Sequence, residues 1–423
     1  MKLKDVEEGG GYLMKTTSRL ALPLLGHITP LNIDASINLH NNYKLKDAAF
    51  KVNSGNYFFE GSIKQSRGDN YTITTKTPFQ KSSKALTIKG ELINSMLAPM
   101  SLNYVPLNRQ TNLSFYDPFL DRKTSVTLYN EGKKEITVSG RLQKLNVIKI
   151  DTEGISGTMY VDDRGRMIKE ELLGFSFVKE DPDKLFSRRL NPGKKDIIEY
   201  FAVKSKAIPG KENISYLKVK LSGIDSVDTL NDFNQKAVIT DDGFVVEVFK
   251  NTPSDIIDID LIDKERFSKY LREDGYIHVN SPIIRETAYS IVKDITNPVS
   301  AVRKLSEWID NNIEKIPTLS LPNTLDTLAI KSGDCSELSA LLVGFLRSLG
   351  IPSYVNVGIV YEKEKFFYHA WVSVYAGNWF DTDPALGQIV ADATHIKLFK
   401  GLKNQFEISK IIDNLKIDVL EYK

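Results

Sequence analysis

The sequence predicts an α+β protein, with antiparallel β-sheets in its N-terminal part and mixed helices and strands in its C-terminal part. Two observations lead to this fold class. Alternating apolar and polar runs, separated by turn signals, extend from about Gly11 to Val178, and such runs are typical of antiparallel strands. After about Ser281, apolar residues recur at helical spacing instead. The length of 423 residues is enough for about two to three domains.

Composition and charge narrow the class of function. Hydrophobic residues make up 41% of the chain and charged residues 26%, values that exclude disordered and coiled-coil proteins. Lysine and arginine number 56 against 54 aspartate and glutamate residues, so the chain lacks the basic excess of a nucleic-acid-binding protein. We therefore predict no nucleic-acid partner.

The sequence also bears on membranes and compartments. No run of about 18 apolar residues occurs, so no membrane span is predicted. The apolar run Leu20–Leu25 is too short for a signal peptide, and no small-residue cleavage site follows it. The single cysteine, Cys335, excludes an intrachain disulfide and leaves the redox compartment open. The strand-rich N-terminal part suits secretion, so an extracytoplasmic location, in the periplasm or cell envelope, is our expectation.

Three domains are predicted in chain order. Residues 1–182 form an N-terminal β-rich domain. The segment Glu180–Lys195 is charged and contains two prolines and a glycine, which indicates a linker. Residues 196–275 form a small β-rich module, because Tyr216–Leu221 and similar runs alternate in polarity. Residues 276–423 form the third domain.

The third domain opens with three predicted helices. Pro282 follows Ser281, and Pro298 follows Asn297; a polar residue before proline is a common helix start. A third, short helix is predicted to begin at Asn323.

The next helix carries the chain's cysteine. Asp334 can cap its N-terminus, and Glu337 lies three residues later, as in a capping box. Gly350 and Pro352 end the helix. Cys335 is therefore the first helical residue, where unpaired amides favour a thiolate. This position, together with His369 as a candidate ion-pair partner, predicts a lowered thiol pKa. The backbone N–H of Cys335 is free to donate to an oxyanion.

Three predicted strands follow this helix, joined by short turns: Ser353–Tyr361, Phe366–Ala376 and Trp379–Pro384. The third is expected to pair beside the second. Phe366–Ala376 carries His369, and Trp379–Pro384 carries Asp381 and Asp383. Side chains two residues apart on a strand face the same side, so the pattern alone leaves both aspartates as candidates.

A cysteine at a helix start, a strand histidine and an aspartate on the next strand are the parts of an activated thiol nucleophile. The thiolate attacks a carbonyl, the histidine moves the proton, and the aspartate fixes the imidazole tautomer. Each residue alone has a structural explanation, since free cysteines are usually buried, strand histidines often lie in cores, and strand acids are often solvated.

Three motifs of the third domain resemble the core of the transglutaminase-like superfamily, whose fold and triad are similar to those of papain-type cysteine proteases. They are Gly333-Asp334-Cys335, His369-Ala370-Trp371, and Trp379 followed by Asp383-Pro384. The segment Ala391–Leu398 resembles bacterial members. The resemblance implies a papain/transglutaminase-like α+β fold for residues 276–423, with Cys335 as nucleophile, His369 as base and Asp383 as orienting acid.

Asp383 is preferred over Asp381 for two reasons. It lies at the superfamily's spacing after Trp379, and Pro384 behind it favours an extended backbone. The side-chain donor of the oxyanion hole is not identified by the sequence.

The resemblance implies a thiol enzyme that transfers or hydrolyses an amide or peptide bond through a thioester, with a protein or peptide substrate and no cofactor. Hydrolysis, as by a peptidase or amidase, is favoured over cross-linking because the chain resembles bacterial members. The alternative is a binding or scaffold protein with a vestigial transglutaminase-like fold, and a missing triad residue would be its signature.

The remaining histidines suggest no metal. They lack metal-ligand spacing and are scattered along the chain: His27, His40, His278 and His395. No glycine-rich phosphate loop occurs either. We therefore predict neither a metal site nor a nucleotide site.

Overall fold

The computed structural model describes most of the chain. The described residues are 2–5, 11–24, 26–41, 45–87, 105–117, 122–152, 155–163, 165–172, 175–179, 196–224, 227, 230–253, 257–317, 322–412 and 414–423. The predicted linker Glu180–Lys195 lies outside the described residues.

The first β-sheet has seven antiparallel strands, and each strand pairs with the next one along the chain. The strands are β1 (Lys2–Asp5), β2 (Tyr12–Leu24), β3 (His27–Leu39), β4 (Leu45–Ser54), β5 (Tyr57–Arg67), β6 (Asn70–Lys76) and β7 (Lys81–Thr87). Burial alternates along β5 from Tyr57 to Ile63, as the period of two requires for a sheet with one covered face.

A second antiparallel sheet follows the same sequential order. Its strands are β8 (Gln110–Asp117), β9 (Arg122–Val138), β10 (Arg141–Thr152), β11 (Ile155–Val161), β12 (Met167–Leu172) and β13 (Phe175–Val178). The prediction of antiparallel sheets in the N-terminal part is therefore confirmed.

From residue 196 onward, helices and strands are mixed. The elements are α1 (Ile197–Phe201), β14 (Val203–Lys204), β15 (Tyr216–Ser222), β16 (Gln235–Thr240), β17 (Gly243–Phe249), α2 (Pro282–Val292), α3 (Pro298–Asn312), β18 (Glu314–Lys315), α4 (Thr324–Ile330), β19 (Ser332–Gly333), α5 (Cys335–Ser348), β20 (Ser353–Glu362), β21 (Lys365–Tyr375), β22 (Trp379–Thr382), β23 (Ile396–Lys400) and β24 (Lys416–Tyr422). Short 3₁₀ helices connect some of them: Lys211–Asn213, Ile259–Leu261, Ser268–Tyr270 and Leu402–Lys410.

The candidate site is built on one sheet and one helix. The sheet has the order β14-β21-β20-β23, with β22 added beside β21. Helix α5 packs against β20 and β21 on one side and against α2, α3 and α4 on the other. Its side chains Leu338, Leu341, Leu342 and Phe345 are fully buried. This arrangement confirms the predicted α+β class.

The predicted helix signals act as expected. Asp334 accepts a hydrogen bond from the backbone N–H of Ser336 at 3.1 Å, and Glu337 accepts one from the N–H of Asp334 at 3.1 Å, completing the capping box. Gly350, just after α5, has a φ of 81°, which glycine adopts without strain. The N-caps of α2, α3 and α4 are Ser281, Asn297 and Asn323.

In the part of the chain that the structure describes, no helix combines the length and the apolar character needed to cross a bilayer.

The last strand links the two predicted C-terminal domains. β24 pairs with β15 in a four-stranded sheet of order β16-β17-β15-β24. Buried residues of β15, such as Val219, belong to the same hydrophobic cluster as Leu341 of α5. The boundary between residues 196–275 and 276–423 stays a prediction, and the shared core leads us to expect that the two units unfold together.

Limited proteolysis tests the domain boundaries. We expect the first cuts to fall within residues 180–195 and to release a stable fragment from about residue 196 to the C-terminus, because β24 and the shared core hold that fragment together. Mass spectrometry of the early fragments identifies the cuts. Early cleavage inside α5 would contradict this organisation. That helix is buried within the fragment that we expect to stay folded, and folding protects its backbone from the protease.

The first sheet docks onto the helical part near the candidate site. At its β6–β7 turn, the hydroxyl of Thr77 and the N–H of Phe79 donate to Asp326 of α4 at 2.8 and 2.9 Å. Gln80 and His278 form a hydrogen bond of 2.7 Å. Asp326 is buried, so these bonds satisfy a carboxylate removed from water.

Candidate active site

Cys335 occupies the first position of α5 and is partly exposed. Two features of the preceding chain hold it there. The capping box fixes the start of the helix, and β19 pairs with β18 immediately before it. The first N–H groups of a helix lack partners within the helix. The capping box uses the N–H of Ser336, so the N–H of Cys335 itself is the amide that can donate to an oxyanion beside the thiol.

His369 extends from β21 toward this cysteine. On β21, His369 pairs with Gly358 of β20. The imidazole ring stacks on the ring of Trp371, with 6.3 Å between the centroids. A Cβ at Gly358 would lie 2.9 Å from the Trp371 ring, so glycine leaves the space that this ring fills. The imidazole of His369 is close enough to the thiol of Cys335 that each group shifts the pKa of the other.

Asp383 follows the end of β22 and binds the other side of the same imidazole. Its Oδ2 lies 2.7 Å from His369 Nε2. Its Oδ1 accepts the backbone N–H groups of Ala385 and Leu386 at 2.8 and 3.0 Å, and its own backbone pairs with Gln388. The Asp383 side chain is therefore held at both oxygens, and His369 interacts with both Asp383 and Cys335.

Asp381 lies elsewhere, although it is only two residues from Asp383. Its carboxylate accepts the Ser373 hydroxyl at 2.5 Å and the Asn234 amide at 3.0 Å, and it lies 3.1 Å from Lys397 Nζ. The sequence pattern left both aspartates as candidates for the histidine. In the structure, only Asp383 contacts His369, because the chain leaves the strand after Thr382.

His395 is a residue of this site that the sequence interpretation missed. Its Nε2 lies 3.1 Å from Asp383 Oδ2, and its Nδ1 lies 3.1 Å from the carbonyl and 3.3 Å from the carboxylate of Asp392. By spacing alone it is one of the scattered histidines for which no role is predicted. A signal was present in the segment Ala391–Leu398, where an aspartate precedes this histidine by three residues.

The same cluster is a candidate for metal binding by its residue types. One ligand atom each of His369, Asp383 and His395 lies within 4.8 Å of the others. The two imidazole–carboxylate hydrogen bonds, of 2.7 and 3.1 Å, account for this spacing. We therefore assign these atoms to a hydrogen-bonded network.

The charges of the cluster stabilise one another. Burial alone would lower the pKa of His369, but the Asp383 carboxylate and the Cys335 thiolate raise it to about 10. In the same way, Asp383 and Asp392 outweigh burial and raise the pKa of His395 to about 9. Burial would raise the pKa of Asp383, but the two imidazoles hold it well below its ordinary value.

The prediction of a lowered thiol pKa is wrong. Burial raises the pKa of Cys335, and the neighbouring Asp334 carboxylate adds to the rise, whereas His369 acts in the opposite direction without reversing it. The helix start favours a thiolate, but removal from water disfavours any charged form. The thiolate of this site therefore depends on its imidazolium partner.

Stability should fall at alkaline pH because of these histidines. The folded-state pKa of His395, about 9, lies above the unfolded value of about 6.5. Its stabilisation is thus complete below about pH 6.5 and is lost as the pH rises through about 9. Urea unfolding at several pH values measures this loss, which should be smaller in His395→Gln. Equal alkaline losses in both proteins would contradict the assignment.

One family model matches part of this chain. Residues 285–384 match the family model of the transglutaminase-like superfamily. This range begins in α2 and ends just after Asp383, so it includes all three predicted site residues. It does not extend to His395.

Similarity to individual proteins is more distant. An uncharacterized protein of Mycobacterium leprae is 28% identical over 130 residues, which cover 28% of this chain and 46% of that protein, less than half of its length. A proposed cysteine protease from Cytophaga hutchinsonii is 18% identical with a TM-score of 0.32, covering 50% of this chain and 86% of that one. A proposed protease from Parabacteroides distasonis is 11% identical with a TM-score of 0.23, covering 87% and 66%.

Proposed function

We propose that this chain, whose residues 285–384 form a domain of the transglutaminase-like superfamily, is a thiol enzyme that acts on an amide or peptide bond. The observation that carries the proposal is that one imidazole, His369, is hydrogen-bonded to Asp383 and interacts electrostatically with the Cys335 thiol. Nucleophile, base and orienting acid are in contact in the order that thiol catalysis requires.

The first chemical step forms a thioester. The Cys335 thiolate bonds to the carbonyl carbon of the substrate while the backbone N–H of Cys335 stabilises the oxyanion. The C–N bond then breaks, and the imidazolium of His369 gives its proton to the leaving nitrogen. Asp383 holds His369 with Nε2 toward the carboxylate, which directs the other nitrogen, Nδ1, to the thiol.

The second step releases the acyl group. A water oxygen bonds to the acyl carbon as His369 takes the water proton, and the C–S bond breaks to regenerate the thiolate beside the imidazolium. A primary amine can replace water in this step and yields a new amide. We favour water as acceptor, and therefore a peptidase-like or amidase-like activity on a protein or peptide, on the resemblance to bacterial members. An extracytoplasmic location remains part of the proposal.

Acylation by p-nitrophenyl acetate, an activated ester, tests the thiol chemistry directly. Because the chain has one cysteine, any thioester seen by intact mass spectrometry after an acid quench is at Cys335. We expect one acetyl group to be acquired and then lost by the unmodified protein. Cys335→Ser should form no thioester. His369→Ala should acylate and deacylate much more slowly, because both steps need its proton transfer.

Two outcomes of this assay decide the proposal. Acylation of the unmodified protein at the rate of His369→Ala would overturn it and favour the scaffold alternative. Adding a primary amine during deacylation separates the two acceptors, since acetylated amine reports transfer and acetate reports hydrolysis. A predominance of acetylated amine would overturn the preference for water while leaving the thiol enzyme in place.

A further inference from the structure

Two imidazoles bind the same oxygen of Asp383. His369 Nε2 lies 2.7 Å and His395 Nε2 lies 3.1 Å from Oδ2. The other carboxylate oxygen is taken by the backbone N–H groups of Ala385 and Leu386. The charge of one buried carboxylate is thus divided between the histidine of the proposed triad and a second histidine behind it.

The partners of His395 fix its charge. Nε2 faces the Asp383 carboxylate, and Nδ1 faces the carbonyl and carboxylate of Asp392. These groups accept hydrogen bonds, so both ring nitrogens must donate, as only an imidazolium can. Only 1% of the His395 side chain is exposed, so solvent water does not reach the ring nitrogens to donate a hydrogen bond to them.

Asp392 is itself held in place by its neighbours. Its Oδ1 accepts the N–H and the hydroxyl of Thr394 at 2.8 and 2.5 Å, and its Oδ2 accepts the Gln388 amide at 2.8 Å. Gln388 also accepts the Asp392 N–H at 2.9 Å, and its backbone pairs with Asp383. The loop that positions Asp383 therefore also positions the anchor of His395.

We propose that His395 is a positioning residue of the thiol site, a buried cation that shares Asp383 Oδ2 with His369 and so weakens the hold of that carboxylate on the His369 proton. The inference rests on the proposed function, because it concerns the proton that His369 must both take and give away. Without a competing cation, the whole charge of Asp383 would act on His369 and make it a poorer acid toward the leaving nitrogen.

Charges around His395 are consistent with this role. Asp383 and Asp392 contact it directly, and the His369 ring lies 6.2 Å away between centroids. The cation of Lys211 acts at longer range on both aspartates. The edge of Trp371, 5.2 Å between centroids, fills another side of the ring. The raised pKa of His395, about 9, agrees with the cationic form inferred from its hydrogen bonds.

The test is the pH dependence of Cys335 alkylation by iodoacetamide, followed by intact mass spectrometry. His395→Gln keeps an N–H near the position of Nε2 but has no charge. Loss of the nearby cation destabilises the Cys335 thiolate and favours the His369 imidazolium. In a plot of alkylation rate against pH, we therefore expect both pH-dependent changes to move to higher pH by about one unit. His278→Gln, at a half-buried histidine that bonds Gln80 and Thr324, is the matched control and should leave the profile unchanged.

The outcomes separate this inference from the proposed function. If the profiles of His395→Gln and the unmodified protein coincide while His369→Ala differs, His395 has no positioning role and the inference fails. If His369→Ala also coincides with the unmodified protein, the proposed function itself fails. A ¹⁵N NMR titration of the unmodified protein needs no variant: a neutral His395 ring at pH 7.5 overturns the inference, and a cationic ring supports it.

Discussion

Asp383→Asn is expected to lower turnover by about two to four orders of magnitude while the protein stays folded. The amide keeps the shape of the side chain, and its oxygen can still accept the backbone bonds from Ala385 and Leu386. Its NH₂ group would then face His369 Nε2 and stabilise the wrong tautomer. The rate of acetyl loss from Cys335, after acylation with the activated ester, measures the effect.

The matched control for this variant is Asp381→Asn. Asp381 lies two residues away and is also buried, but it bonds Ser373 and Lys397 and does not contact His369. We expect it to lower the free energy of unfolding and to change turnover much less. If both variants fold and their effects on turnover are reversed, the orienting role belongs to Asp381.

The largest loss of stability is expected from Lys397→Met. Lys397 is fully buried, and its Nζ lies 2.9 Å from Asp232, 3.1 Å from Asp381 and 2.8 Å from the amide oxygen of Asn234. Methionine has a similar length but leaves the buried carboxylate of Asp381 and the partly buried carboxylate of Asp232 without this cation. Breaking a buried ion pair in this way costs about 3–5 kcal/mol.

Urea unfolding of Lys397→Met and Lys400→Met makes the comparison. Lys400 also faces Asp232, at 3.4 Å, but its side chain is 33% exposed, so its loss should cost about 1 kcal/mol or less. The double variant, Lys397→Met with Asp381→Asn, should lose less unfolding free energy than the sum of the losses of the two single variants. The reason is that it also removes the Asp381 charge that would otherwise lack its cation. Equal effects of the two lysine variants would show that the buried network does not contribute in this way.

Local signals were sufficient to predict the helix that carries the cysteine. Asp334 and Glu337 set its start, and Gly350 and Pro352 set its end, all within a few residues of the backbone groups that they satisfy. The position of Cys335 at the first turn follows directly. The strand pairing that brings His369 near Asp383 was also predicted, because β20, β21 and β22 are consecutive and joined by short turns.

The missed residues depend on packing between distant segments. Lys397 is buried because Asp232 and Asn234, more than 160 positions earlier, close over it. His395 acquires its role because β23 pairs with β20 and brings the preceding loop behind Asp383. A single sequence contains no periodicity that reports such contacts.

The error in the thiol pKa has the same origin. The helix start is a local feature, and it correctly indicates a favourable place for negative charge. The partial burial of Cys335 is a property of the assembled domain, and the resulting loss of hydration has a larger and opposite effect on the thiol pKa.

The pairing of β15 with β24 also has a consequence for synthesis on the ribosome. The two strands are neighbours in the folded sheet, but roughly 190 residues separate them in the chain. At about 5–20 residues per second, β15 emerges from the ribosome some 10–40 s before its partner. During that interval one edge of β15 has no β24 to pair with, and unpaired strand edges are sites of aggregation. Nascent chains of this protein should therefore depend on chaperones most strongly after β15 has emerged and before β24 follows it.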